Sequence, residues 1–154
     1  MADDQMRALR DEVQRLADIE AIKQLKARYI RLVDVQDWEA WGREVLTEDF
    51  HFDSDGGVQD GRDVVIGMVS KALAGAQTVH HVHTPEITIT GPDTATAIWP
   101  MNDYVTMPRD GSPIVINGYG HYNEEYVRTD DGWRLKSCVL TRLRVDSNIE
   151  LNGG

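Results

Sequence analysis

Three of the chain's five histidines, His80, His81 and His83, stand within four residues in the run Thr78-Val79-His80-His81-Val82-His83-Thr84-Pro85-Glu86-Ile87. Imidazole is the side chain that takes and gives a proton near neutrality without any help from its surroundings. Set among apolar residues, this cluster points to proton transfer inside a pocket. Strand alternation puts His81 and His83 on one face and His80 with Val82 on the other, so only one set can line a cavity. A His-x-His pair on a strand can also ligate zinc or iron. No carboxylate at ligand spacing and no cysteine stands nearby, so no metal is expected.

Other groups could serve the same chemistry. Tyr29, Ile30, Val33 and Asp34 fall within about 140° of a helix at 100° per residue, which puts Asp34 at the margin of an apolar stripe. A solvated carboxylate and a core tyrosine are the structural alternatives for that pair. Trp99, Asn102 and Asp103 bring polar and aromatic groups into an apolar strand, and Tyr119 and His121 share one face of the next. Arg142 and Arg144 share one side of the last strand. An inward arginine beside Asp103 would form a buried ion pair, whose desolvation is offset only by good geometry. Outward arginines would simply temper the acidic surface.

The elements that must hold these groups are legible as two periods. Leu9, Val13, Leu16, Ile19, Ile22, Leu25, Tyr29 and Leu32 recur at spacings of three and four and predict an amphipathic helix, with Asp18 breaking or capping it midway. Shorter helices are expected over 38–46 and 61–74, with a strand at 50–53 between them. Beyond Gly75 the period becomes two, and strands are expected at 78–90, 94–106, 113–128 and 132–145, joined by hairpin-sized turns. Pro85 and Pro100 should mark bulges or edges. Helices first and strands later is an α+β layout, with helices packed on one face of a curved antiparallel (mixed) sheet that encloses a cavity. The tail Asn152-Gly153-Gly154 is expected to be mobile.

With 154 residues, 41% hydrophobic and 27% charged, the chain fits one globular domain over 1–154 with its core at about 10–146. A net charge of −10 argues against nucleic-acid binding, which needs a basic footprint, and against anionic membranes. The lone Cys138 sits in an apolar strand and is expected to be buried and unreactive. The acidic start is the reverse of a signal peptide, and no apolar run approaches the ~20 residues that cross a bilayer. A cytoplasmic setting is therefore expected.

Several pieces in order carry a family resemblance. They are Ile19-Glu20-Ala21-Ile22 through Tyr29, Asp34 and Trp38, then Glu48-Asp49-Phe50, Gly61-Arg62, Thr78-Val79-His80, Gly120-His121-Tyr122 and Gly132-Trp133-Arg134-Leu135. Over residues 10–146 the chain resembles the SnoaL-like branch of the nuclear transport factor 2 (NTF2)-like superfamily, among them bile acid 7α-dehydratase, scytalone dehydratase and hexachlorocyclohexane dehydrochlorinase. The resemblance implies a cone-shaped fold and an Asp–His dyad, carried here by Asp34 and His80, with Tyr29 at a site position. Asp103 and Arg142 match a further polar pair. Which of His80, His81 and His83 faces the cavity is left open by the adjacent histidines.

The implied activity is a lyase or isomerase without cofactor, a dehydratase, isomerase or polyketide cyclase acting on a hydrophobic ring-containing molecule such as a steroid. Tyr29 with Asn102 or His121 would bind the developing oxyanion, and His81, His83, Trp99 and Tyr119 would support the pocket. The alternative is a non-catalytic small-ligand-binding or dimerisation module, since a fold does not determine a function. A homodimer or homotrimer is expected from the open sheet face and from Trp38, Trp41, Trp99 and Trp133.

Overall fold

The computed structural model describes residues 1–149; the C-terminal tail, expected to be mobile, lies outside them. Helix α1 (Ala2–Asp34) and helix α2 (Trp38–Val45) lead into strands β1 (Leu46–Ser54) and β2 (Gly57–Asp60). Helix α3 (Arg62–Ala72) follows, then β3 (Gln77–Val82), β4 (Glu86–Gly91), β5 (Thr94–Met107), β6 (Ile114–Thr129) and β7 (Gly132–Ser147). Seven strands form one curved sheet in the order β2-β1-β7-β6-β5-β3, with β4 also paired to β5. This is the expected α+β class, helices on a curved sheet. The sheet is mixed, as the expected class allows, because β1 runs parallel to β7 while the other strand pairs are antiparallel.

Helix α1 departs from expectation at Asp18. The helix runs through without a break, because the Asp18 carboxylate is engaged by groups across the core instead of by its own backbone. It accepts from Trp133 Nε1 at 3.1 Å and Gln14 Nε2 at 3.0 Å, and pairs with Arg128 at 2.7 Å. The apolar stripe changes character at this point. Ile22, Leu25, Tyr29 and Leu32 are buried against the sheet, whereas Leu9, Val13 and Leu16 remain more than half exposed.

The strand expected over 78–90 is two strands. Pro85 has no N–H to give a ladder, and the chain breaks at His83–Pro85 before β4 resumes beside β5. Pro100, by contrast, sits inside the continuous β5. Its carbonyl accepts from His83 N at 2.9 Å, so its missing N–H faces the gap between β3 and β4 and costs no bond to β6. Strand β2 and the first half of β1 were not expected.

The core lies between the helices and the inner sheet face. Trp41, Val45, Phe50, Tyr126, Leu135 and Cys138 are all within 2% of full burial. Burial raises the Cys138 thiol well above its ordinary pKa, as expected of an inert residue. No helix among the described residues is long and apolar enough to cross a membrane.

Candidate active site

One end of the cone holds a cavity of about 280 Å³. Its wall is assembled by the end of α1, the outer helices and the inner faces of β1, β3, β5, β6 and β7. Most of that wall is apolar, including Val33, Trp41, Phe52, Leu73 and Leu140. Three polar groupings interrupt it.

The first begins where α1 stops. Gln36 adopts a positive φ of 58°, which ends the helix, and its side-chain amide donates to the carbonyls of Leu73 and Ala76 at 3.1 and 3.0 Å. The helix end is thereby fastened to the chain entering β3. Asp34, the last helical residue, meets the inner-face residues Thr78 and His80. Its Oδ1 accepts from Thr78 Oγ1 at 2.9 Å and from His80 Nδ1 at 2.6 Å, and its Oδ2 accepts from the His80 backbone N–H at 2.9 Å.

Burial opposes the charge on Asp34, but these three donors outweigh it and hold the carboxyl below the usual range. An ionised carboxylate can only accept, so a hydrogen resides on His80 Nδ1, and in the neutral imidazole the lone pair is then on Nε2. Nε2 has no protein partner among the described residues, and His80 lines the cavity.

The second grouping is a pair of phenols. Tyr29 and Tyr122 line the cavity with ring centroids 6.3 Å apart, and neither hydroxyl has a protein hydrogen bond among the described residues. Burial, with neighbouring negative charge, raises both well above the ordinary tyrosine pKa, so both remain protonated donors. Behind them lies Lys26, its ammonium 4.1 Å from the Tyr29 centroid and 4.0 Å from that of Tyr122. Lys26 is paired with the fully buried Glu124, which also accepts from Tyr126 Oη. Two faces, one cation and one carboxylate thus fix both rings.

The third is an ion chain at the mouth. Arg142 Nη1 lies 2.9 Å from Asp103 Oδ2, and Arg142 Nε donates to Asp55 Oδ2 at 2.9 Å. The other Asp103 oxygen accepts from Gly118 N at 2.9 Å. A Cβ at Gly118 would overlap both Arg142 Nη1 and Asp103 Oδ1, so only glycine leaves room for this pair. Burial opposes the Arg142 charge, but Asp103 and Asp55 overcome that penalty and raise its pKa.

A SnoaL-like domain model matches residues 14–139. The chain belongs to the SnoaL-like family. Among curated proteins it is similar to "Probable cyclase FGR4" of Gibberella zeae, 25% identical over 134 residues, which is 79% of this chain and 89% of that protein. Among solved structures, a type 2 hexachlorocyclohexane dehydrochlorinase (LinA) superposes with a TM-score of 0.78 at 17% identity, covering 93% of this chain and 97% of that one. A candidate scytalone dehydratase from Novosphingobium aromaticivorans gives 0.78 at 17% identity, covering 90% and 91%. At such identities the likeness establishes the NTF2-like fold. The family's dehydratase- and cyclase-named relatives are similar proteins, and their names are theirs.

Within this SnoaL-like domain, five residues expected at the pocket lie elsewhere. His81, His83, Asn102, Tyr119 and His121 point from the outer face of the sheet, since each stands one residue out of phase with an inward neighbour. There Asn102 accepts from His83 Nε2 at 2.8 Å and stands 3.5 Å from His81 Nδ1. Trp99 points inward but beneath the floor, donating to Tyr126 Oη at 3.1 Å. No three His, Cys, Asp or Glu side chains among the described residues are close enough to share a metal.

Four of the residues that sequence reasoning missed lie on the alternate phase of β6. Gly118, Gly120, Tyr122 and Glu124 all face inward. Two glycines on one strand face signal close approaches, which here are the Arg142 and Asp103 side chains at Gly118 and the Thr141 backbone carbonyl at Gly120. Asp55 carried no such signal, because its part depends on a turn brought across from β1.

Proposed function

We propose that this protein is a cofactor-independent lyase or isomerase of the dehydratase kind, acting as a single domain on a hydrophobic, ring-containing small molecule. The observation that carries the reading is His80, tied to Asp34 through Nδ1 and turned toward an apolar cavity with Nε2 unengaged. Nε2 takes a proton from a carbon next to a carbonyl, and the electrons move onto the carbonyl oxygen. The hydroxyls of Tyr29 and Tyr122 donate to that enolate; preorganised donors in a dry site are often the largest catalytic contribution. Tyr122 takes the place foreseen for Asn102 or His121. Collapse of the enolate expels a β-hydroxyl, which leaves as water with the proton from the imidazolium. Return of the proton to a different carbon instead gives an isomer.

The test uses 2-tetralone, a fused-ring ketone, in D2O. The protein should speed deuterium entry at the carbons beside the carbonyl, and His80→Gln should reduce that acceleration by about 10²-fold or more, the usual worth of a general base. Equal exchange by both proteins rejects the reading.

A homodimer or homotrimer is proposed on separate grounds. Among the described residues the outer sheet face carries no helix, and it exposes Val79, Ile98 and Tyr104. The tryptophans do not support it, because Trp41, Trp99 and Trp133 are core residues and Trp38 is partly buried against them. The lone buried thiol and acidic surface support a cytoplasmic setting.

A further inference from the structure

Among the described residues Arg142 is the only arginine or lysine lining the cavity, and its two carboxylate partners differ in kind. Asp103 is buried, with a side-chain exposure of 6%, and both its oxygens are engaged, one by Arg142 and one by Gly118 N. Asp55 is 63% exposed and stands in the turn between β1 and β2, at the cavity mouth. Its contact on Arg142 Nε is the only side-chain bond it makes among the described residues. Asp103 cannot leave without stranding a buried charge, whereas Asp55 can swing into water at little cost.

We propose that Asp55 holds the place of an anionic group on the ligand, so that the pocket takes a ring-bearing carboxylic acid, or an equivalent oxyanion, whose charge displaces Asp55 from Arg142.

The charge balance requires exchange rather than addition. Three carboxyl groups, Asp34, Asp103 and Asp55, stand against one guanidinium, so acids already outnumber the arginine before any ligand enters. A second anion beside Asp55 would meet repulsion. An anion in place of Asp55 meets the same Arg142 Nε donor in a less solvated setting, where charge-assisted hydrogen bonds strengthen. An uncharged ligand gains nothing from the exchange and leaves Asp55 where it is. The turn therefore sets specificity between acids and their neutral analogues. This rests on the cavity being the substrate site, as proposed above.

The experiment measures binding of 2-naphthoate and of 2-naphthamide by calorimetry, in the native protein and in Asp55→Asn. These probes share ring and size and differ in charge. Asp55 is exposed, so the variant should fold. Removing the resident carboxylate should tighten naphthoate binding about fivefold or more and leave naphthamide within twofold. A variant that binds both probes as the native protein does, that shifts both equally, or that fails to bind naphthoate overturns the proposal. Neither probe reports on proton transfer. An Asp55→Asn effect without tetralone exchange therefore rejects only the base assigned to His80, and exchange without the Asp55→Asn effect rejects only this inference.

Discussion

At the scale of single residues, Asp34 serves two purposes at once in the proposed mechanism. From the sequence, a carboxylate held for chemistry is expected to be dispensable for stability. The geometry says otherwise, because Asp34→Ala leaves Thr78 Oγ1, His80 Nδ1 and His80 N without their acceptor. Each stranded donor costs about 1–3 kcal/mol when it cannot reach water, so Asp34→Ala should melt measurably lower. Asp34→Asn keeps one acceptor oxygen and should lie closer to the native melt, yet lose tetralone exchange as the imidazole tautomer is no longer held. Arg142→Ala strands Asp103 and should cost about 3–5 kcal/mol. Gly118→Ala should cost less but still open the pair, read as a lower melt in calorimetry.

Asp18 gives the clearest pH dependence. Burial works against its charge, but hydrogen bonds from Arg128, Trp133 and Gln14 prevail and lower its pKa. A carboxyl lowered on folding contributes stability that is full above its unfolded value near 3.9 and is lost as pH falls through the folded value. Urea unfolding at pH 7 should show Asp18→Asn less stable than the native protein, by about 1–3 kcal/mol. At pH 2 to 3 the gap should narrow. A gap that does not change with pH would mean the Asp18 charge is irrelevant.

At the scale of elements, the helix and strand types were legible because side-chain periodicity survives without any tertiary knowledge. The antiparallel hairpins from β5 to β7 followed from their turns. What periodicity cannot report is which part of a stripe finds a partner. Leu16 and Leu25 look alike in the sequence, yet one is 52% exposed and the other 4%. Leu25→Ala should therefore cost about 2–5 kcal/mol and Leu16→Ala under about 0.5, a contrast that thermal melts of the two variants will test. The site divides the same way. Alternation allowed His80 or the His81–His83 pair to face inward, and only the pairing of His80 with Asp103 decides the phase. The same unknown phase put Tyr119 and His121 in the expected pocket and left out Tyr122. Asp55 and Asp18 were out of reach, since their partners lie 87 and 110 residues onward.

For the whole molecule, the parallel seam between β1 and β7 has a kinetic consequence. The first strand of the sheet cannot gain its inner neighbour until the last has been made, a closure across more than eighty residues. Contacts so distant in sequence slow folding, because the ordering is complete before they form. The hairpins β5–β6 and β6–β7 need no such wait. Cys138→Ala, buried where β7 meets β1, should accordingly speed unfolding more than it slows folding, giving a low φ-value in a urea chevron. During synthesis the order is stricter still. Helix α1 emerges first with Ile22, Leu25, Tyr29 and Leu32 uncovered, and the sheet that shelters them is the last part of the described chain to leave the ribosome.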